Sequence, residues 1–398
     1  MEKTKRKNAG LVVTVIIFMG LFLGNFAQYQ LAAVPSQVFQ KLNLSNAQFS
    51  SIMTAPMLPA IFLSLLSGAL VDRYGVKKMV AAGLVIASAG FLLRPFVTSY
   101  TGMLIAMILS GFGCMVISSN LAKIVASVYP LEKVGRVIGI VMVGSTLSMT
   151  VAYATTALFP SLELAFWVVT VVGIVIDLAW LLLVRDSAFA AAAQAPAAVP
   201  MKESLRVCFK SKNVWLMGLC LALLLGGAMV VTNFQVVGLT TLRGLPEAAA
   251  GTYGSVLTIG AVIGTLGIPM LAAKMKNSRL LILILGVLTA GSMFFIVQGS
   301  HALMYAAAFL NGALRSGIIT ILMAYPVMFS DIGPKYAGTA GGLAATLELL
   351  GAVVIPTYVV IPLCGSSVAA YFTAGAAVIA LATVCGVLLP NFGASKAR

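Results

Sequence analysis

Apolar residues run along this chain in twelve blocks separated by short polar stretches. The blocks fall at about 9–33, 46–71, 78–98, 101–128, 135–158, 163–184, 212–241, 248–273, 279–298, 301–328, 336–362 and 366–389. Each reaches the roughly 20 residues with which a helix rising about 1.5 Å per residue crosses a hydrocarbon layer about 30 Å thick. The pattern predicts an all-α membrane protein with twelve transmembrane helices and both termini on one side.

Composition agrees with that reading. Of 398 residues, 61% are hydrophobic and 9% charged, whereas soluble domains carry about 25% charged residues. Such an apolar excess is too large for one buried core and would aggregate if exposed to water. The net charge of +15 reads as membrane orientation and not as a nucleic-acid surface, since no basic face interleaved with aromatics accompanies it. With the N-terminus inside, all but four of the 25 Lys and Arg residues lie on the cytoplasmic side. The four are Lys41 and Arg243 in external loops, and Arg94 and Arg315 within the membrane. The expected location is the plasma (bacterial inner) membrane, with N- and C-termini cytoplasmic. No small-residue cleavage site follows the first apolar run, so it reads as a retained span and not a signal peptide.

Cys114, Cys208, Cys220, Cys364 and Cys385 form no CxxC pair, and His301 is the one histidine. No disulfide framework, metal centre, cofactor or histidine-based catalysis is expected, so the chain does not read as an enzyme. A phosphate-binding G-x-x-x-x-G-K-[ST] loop does not occur, so ATP is not the expected energy source.

The stretch from Asp186 is rich in Ala and Pro and reads as a cytoplasmic linker, 186–209, between six-helix bundles at 1–185 and 210–398. An offset of 202 places Leu23-Gly24 on Leu225-Gly226, Lys133 on Lys335 and Gly139 on Gly341. Held across distant spans, that register points to an internal duplication, hence two pseudo-symmetric bundles. Parallel repeats with a site at their interface are a transporter architecture.

After the second span the chain reads Gly68-Ala-Leu-Val-Asp72-Arg73-Tyr-Gly75-Val-Lys77-Lys78. This resembles the signature of the major facilitator superfamily, G-x-L-x-D-R-x-G-x-K/R-K/R, at its expected place between spans 2 and 3. Its physics is readable: Gly68 permits close helix approach, Asp72 suits the positive end of a helix, Gly75 permits a tight turn, and the lysines hold the loop inside. The resemblance implies that Gly68, Asp72, Arg73, Gly75, Lys77 and Lys78 act as a conformational latch and do not touch substrate. It also implies the superfamily fold and secondary transport by alternating access. The equivalent place in the second half, Met270 to Arg279, has no acidic residue. Drug antiporters of the superfamily often carry Gly-Pro in the fifth span and an arginine four residues before a glycine in the fourth. Here the fifth span has no Gly-Pro, and Met107 stands before Gly111. Sugar porters carry a PESPR-like stretch where this chain has Arg185-Asp186-Ser187-Ala188. Gly90 and Arg94 are faintly similar to the pattern of small-anion porters.

Arg94, Asp177, Arg315 and Glu348 fall inside spans, where a charge costs at least about 2.5–3.5 kcal/mol on insertion scales. Arg315 and Glu348 lie about 14 and 12 residues into spans 10 and 11, close to the midplane at about 1.5 Å per residue. The resemblance implies that spans 1, 4, 7 and 10 line a cavity. Arg315 is therefore the candidate substrate-binding charge, gripping a carboxylate or similar oxyanion with two parallel hydrogen bonds; the other reading is a structural pair with Glu348. Glu348 is the candidate coupling residue, because a buried carboxyl can carry a proton. Arg94 and Lys123 read as snorkelling residues, and Asp177 as paired or protonated. Neutral candidates for the substrate site are Asn25, Gln28 and Tyr29, set on one face of span 1 by their spacing, with Asn120 in span 4 and Asn233 and Gln235 in span 7. Gly111, Gly113, Gly341 and Gly342 read as sites of close helix packing.

The function expected from these residues is secondary transport of a small organic or inorganic anion, with protons as the coupling ion, by a monomer in the lipid bilayer. Two alternatives stand beside it: a transporter of neutral or amphipathic molecules, and a transport-dead sensor or scaffold on the same fold.

Overall fold

Serines start six of the twelve spans. Ser45, Ser99, Ser161, Ser211, Ser300 and Ser367 each accept a hydrogen bond from a backbone N–H of the first helical turn, and Asn277 does the same. Each cap satisfies a donor that the helix itself leaves open. At Ser45 the cap is reciprocal, with Gln48 returning a bond to the Ser45 backbone.

In the computed structural model of the chain, residues 2–185, 189 and 201–392 are described. Twelve of the described helices are long and apolar enough to cross a membrane. Spans 1 to 6 are Gly10–Ala33, Asn46–Ser64, Val76–Leu93, Tyr100–Val128, Glu132–Leu158 and Leu162–Leu183. Spans 7 to 12 are Lys212–Arg243, Glu247–Ala272, Ser278–Gln298, His301–Met328, Gly333–Cys364 and Val368–Leu388. The chain is a multi-pass membrane protein, as its apolar blocks predict.

Two spans change pitch along their length, each at a proline, apart from the 3-10 turns that end spans 5 and 10. Span 2 tightens into a 3-10 turn at Ala55–Met57 around Pro56 before continuing as Leu58–Tyr74. Span 11 widens into a π-helical stretch at Ile355–Val360 that contains Pro356. Proline removes a backbone donor, and the surrounding turns re-pair by changing pitch.

The chain divides into two compact units, Met1–Pro196 and Ala197–Arg398. Within the first, span 1 packs on spans 4, 5 and 6, span 2 on span 4, and span 3 on spans 4 and 6. Within the second, span 7 packs on spans 10, 11 and 12, span 8 on span 10, and span 9 on spans 10 and 12. The pairings are the same under a shift of six spans, which is the structural form of the repeat in the sequence.

Three glycine expectations are corrected. A Cβ on Gly68, Gly341 or Gly342 would meet no atom within 4 Å, so none of these marks a close helix approach. Gly111 does: a Cβ there would run into the Pro56 carbonyl of span 2.

Part of the expected linker is ordered. Residues 186–188 and 190–200 lie outside the described residues, but Met201–Lys210 is a helix that buries Ser204 and Cys208. Its Glu203 carboxylate accepts hydrogen bonds from Tyr336 Oη at 2.6 Å and Lys335 Nζ at 3.1 Å, at the start of span 11. The Tyr336 hydroxyl first, and the Lys335 ammonium second, hold the Glu203 carboxyl below the usual carboxylate range. A depressed carboxyl contributes its docking energy above its ordinary range and loses it as pH falls through the lowered value. The pair is exposed and its contribution modest. Glu203→Gln is expected to speed hydrogen exchange at the amides of 201–210 at neutral pH, and wild type should approach the variant in acid. Equal exchange in the two proteins at neutral pH would show that Glu203 does not tether the helix.

Candidate functional site

Span 1 illustrates how one turn of helix distributes its polar groups. Successive residues point about 100° apart, and Gln28, Tyr29 and Gln30 each address a different neighbour. Gln28 Nε2 donates to the Met53 carbonyl of span 2 at 2.6 Å. The Tyr29 ring lies 5.9 Å from that of Tyr153 in span 5. Gln30 Nε2 donates to the Ala165 carbonyl of span 6 at 3.1 Å. Asn25, one turn before Tyr29, also faces span 5, where its Nδ2 donates to Ser145 Oγ at 2.9 Å. The expectation that Asn25, Gln28 and Tyr29 share a face is therefore corrected: Asn25 and Tyr29 share one, and Gln28 turns to span 2.

Asn25 is half-buried, as are Phe18 and Phe22. Phe18, Phe22 and Phe26 stack in sequence with centroids 6.5 and 5.9 Å apart. Span 1 thus carries a partly open aromatic face with one amide on it, suited to a planar group. Asn120, the candidate in span 4, is buried and donates to Ser67 Oγ of span 2 at 2.9 Å. Its amide protons join two helices.

Arg94 does not snorkel. It is wholly buried, with Nη1 donating to Gln30 Oε1 at 3.2 Å and its guanidinium 4.1 Å from the centre of the Phe166 ring. Lys41 lies 5.8 Å from the same ring and pairs with Glu163 at 3.2 Å. Arg94 thereby joins spans 1, 3 and 6. Gln30 was legible only as one more polar residue in span 1; nothing in its spacing marks it as the partner of an arginine 64 residues away.

In the second unit, Arg315 of span 10 is 5% exposed and Glu348 of span 11 is 9% exposed. Glu348 is close enough to Arg315 for the guanidinium to act on its charge. Span 11 meets span 7 backbone to backbone: a Cβ on Gly351 would run into the Ala222 carbonyl, and one on Gly218 into Leu347. Glu348 is thus level with the stretch between Gly218 and Ala222. Asn233 and Gln235 lie beyond Ala222 by more than ten residues, roughly 17–20 Å along the helix. They are buried, but at a different level from Glu348. The Gln235 Nε2 group is buried without a hydrogen-bond partner. Asn311 turns to span 9, donating to Ser292 Oγ at 3.1 Å and the Thr289 carbonyl at 3.3 Å.

The loop motif is built around Gly75, whose φ of 87° places it where a side chain would be strained. It separates the helix Leu58–Tyr74 from span 3. Asp72 forms an ion pair with Lys123 of span 4, a partner that the reading of Lys123 as a snorkelling residue does not name. Arg73 stacks on Tyr74 at 5.2 Å, and the Lys77 carbonyl accepts from Trp180 Nε1 of span 6 at 3.0 Å. The loop is fastened to two spans of its own unit. The Asp72 pair is largely exposed, and such pairs contribute about 0–1 kcal/mol. Asp72→Asn is therefore expected to leave folding intact and substrate affinity within about threefold while slowing transport, measured as equilibrium binding beside initial rate. Loss of binding in the folded variant would place Asp72 in the substrate site.

The family model for the Major Facilitator Superfamily matches residues 11–356. A 3-(3-hydroxy-phenyl)propionate transporter of Escherichia coli is 24% identical over 321 residues, covering 79% of this chain and 77% of that protein. A facilitated glucose transporter of Danio rerio, member 10 of solute carrier family 2, is 26% identical over 157 residues. That match covers 39% of this chain, which spans only 30% of the relative's length. The crystal structure of a bacterial homologue of the human lysosomal transporter Spinster superposes with a TM-score of 0.78 at 15% identity, over 97% of each chain. At that identity the likeness is one of fold.

Proposed function

The chain belongs to the Major Facilitator Superfamily, and we propose that it is a secondary transporter of small organic anions whose carboxylate is held by Arg315. The observation that carries this reading is an arginine 5% exposed in the middle of span 10. Arginine stays charged, and its planar fork matches a carboxylate. Intramembrane charges are costly and mark substrate or ion pathways by default. A relative named for transport of a hydroxyphenyl propionate supports an organic anion. Glu348, within reach of that charge, is the proton carrier in this reading: ionised it competes with substrate for Arg315, and protonated it does not. The excess of basic residues in one set of loops puts both termini in the cytoplasm.

A second reading rests on the same neighbourhood. Because Glu348 feels the charge of Arg315, the two can neutralise one another and leave a site for neutral or amphipathic solutes. A thermal-shift panel of aliphatic and aromatic carboxylates and inorganic anions separates the readings. A ligand at about a hundred times its Kd stabilises a protein by about 2.7 kcal/mol. Carboxylates should raise the melting temperature of wild type and leave Arg315→Ala unmoved. Stabilisation only by neutral compounds, equal in both proteins, would support the second reading.

A further inference from the structure

The first unit holds a buried acid that the proposed transport cycle does not use. Asp177 of span 6 is 9% exposed, and its Oδ1 is buried without a hydrogen-bond partner. It lines a small cavity between spans 1, 3, 4 and 6, whose polar lining is Asp177, Ser88, Ser110 and Cys114. The cavity offers about 10 Å³ to the centre of a water-sized sphere, enough for one water molecule. We propose that Asp177 and this cavity form a proton-binding site of the first unit, in which the neutral acid is hydrogen-bonded to Ser88 and to a single trapped water.

The site is built by close helix approaches. A Cβ on Gly173, one turn before Asp177, would lie 2.9 Å from Ser88 Oγ, so the glycine is what lets span 6 bring its acid against span 3. A Cβ on Gly24 would run into Cys114 Sγ, which brings span 1 to the cavity wall. The Asp177 carboxyl and the Ser88 hydroxyl both line the cavity. The Ser110 hydroxyl donates to the Met107 carbonyl at 2.7 Å and keeps its lone pairs for another donor.

Among the described residues of the first unit, no cation forms an ion pair with Asp177. On span 3, Lys77 and Lys78 stand at one end and Arg94 at the other, where it is held by Gln30 and Phe166. On span 4, Lys123 pairs with Asp72. On span 6 itself, Glu163 and Arg185 lie at the two ends, and span 1 carries no charge between Gly10 and Ala33. Cys114 is the other titratable group at the wall. A lone ionised carboxyl in such surroundings takes up a proton instead. One carboxyl, two hydroxyls and a thiol fall short of the roughly six to eight oxygens that a calcium ion takes. The cavity also reaches the polar face of span 1, because Asn25 Nδ2 lies 3.8 Å from Cys114 Sγ as well as bonding to Ser145.

Infrared spectroscopy of the purified protein in lipid nanodiscs tests this without any substrate, so its outcome is separable from that of the transport reading. In the Glu348→Gln background, which removes the other buried acid, a protonated-carboxyl band should be present at neutral pH and lost in Asp177→Asn. Ser88→Ala keeps the acid and removes a partner, so the band should remain and move to higher frequency. This second variant serves if Asp177→Asn does not fold. Sodium or lithium should leave the band in place. A band absent at neutral pH, unmoved by Ser88→Ala, or abolished by sodium or lithium would overturn the proposal, the last in favour of a metal-ion site.

Discussion

Arg315→Ala is expected to abolish binding of carboxylate substrates while the protein remains folded. The guanidinium is buried in span 10, and truncating one partner of a buried, hydrogen-bonded charge contact costs about 2–5 kcal/mol, or roughly 30- to several-thousand-fold in affinity. Arg315→Lys keeps the charge but presents a point ammonium in place of a planar fork. It should bind with intermediate affinity and discriminate poorly between carboxylates and inorganic anions. Equilibrium binding of the best carboxylate from the thermal-shift panel to the three proteins checks this. Equal affinity for wild type and Arg315→Ala would remove Arg315 from the site.

The second large effect is expected at Glu348. Glu348→Gln mimics the protonated carboxyl and cannot ionise. In proteoliposomes it should continue to exchange internal for external substrate, because exchange requires only the loaded protein to change conformation. Uphill accumulation driven by an imposed proton gradient should vanish. Undiminished accumulation would exclude Glu348 as the obligatory proton carrier.

The spans were legible because one physical constraint dominates them. Crossing hydrocarbon demands about 20 apolar residues, and the twelve blocks in the sequence coincide with the twelve helices in the structure. The repeat was legible too, since the 202-residue register reappears as the same helix pairings in each unit. Gly75 was readable from its place in a short motif, and its positive φ bears that out.

What failed was the assignment of partners. Arg94 and Lys123 each lie near a span end, where a long side chain ordinarily reaches for water. Tertiary packing brings Gln30 and Phe166 to one and Asp72 to the other. Such pairings depend on which helices touch and at what level, which spacing along one helix does not encode. The helix Met201–Lys210 was read as linker for a related reason. Its sequence is polar, and only Ser204 and Cys208 turn inward; the bonds from Glu203 to the start of span 11 hold it in place. At the candidate site, depth along spans 10 and 11 placed Arg315 and Glu348 in one locality. The cavity that the resemblance implies grouped Asn233 and Gln235 with them, and the packing of Gly351 on Ala222 sets those two at another level.

The most direct test of the anion-site account is transport by Arg315→Ala/Glu348→Ala beside each single variant, in proteoliposomes, with the carboxylate that best stabilises wild type. If Arg315 holds the substrate, the double variant should be as inactive as Arg315→Ala, since neutralising its neighbour does not replace the grip on the carboxylate. Near wild-type transport in the double variant would contradict the account, showing that the arginine serves only to balance Glu348.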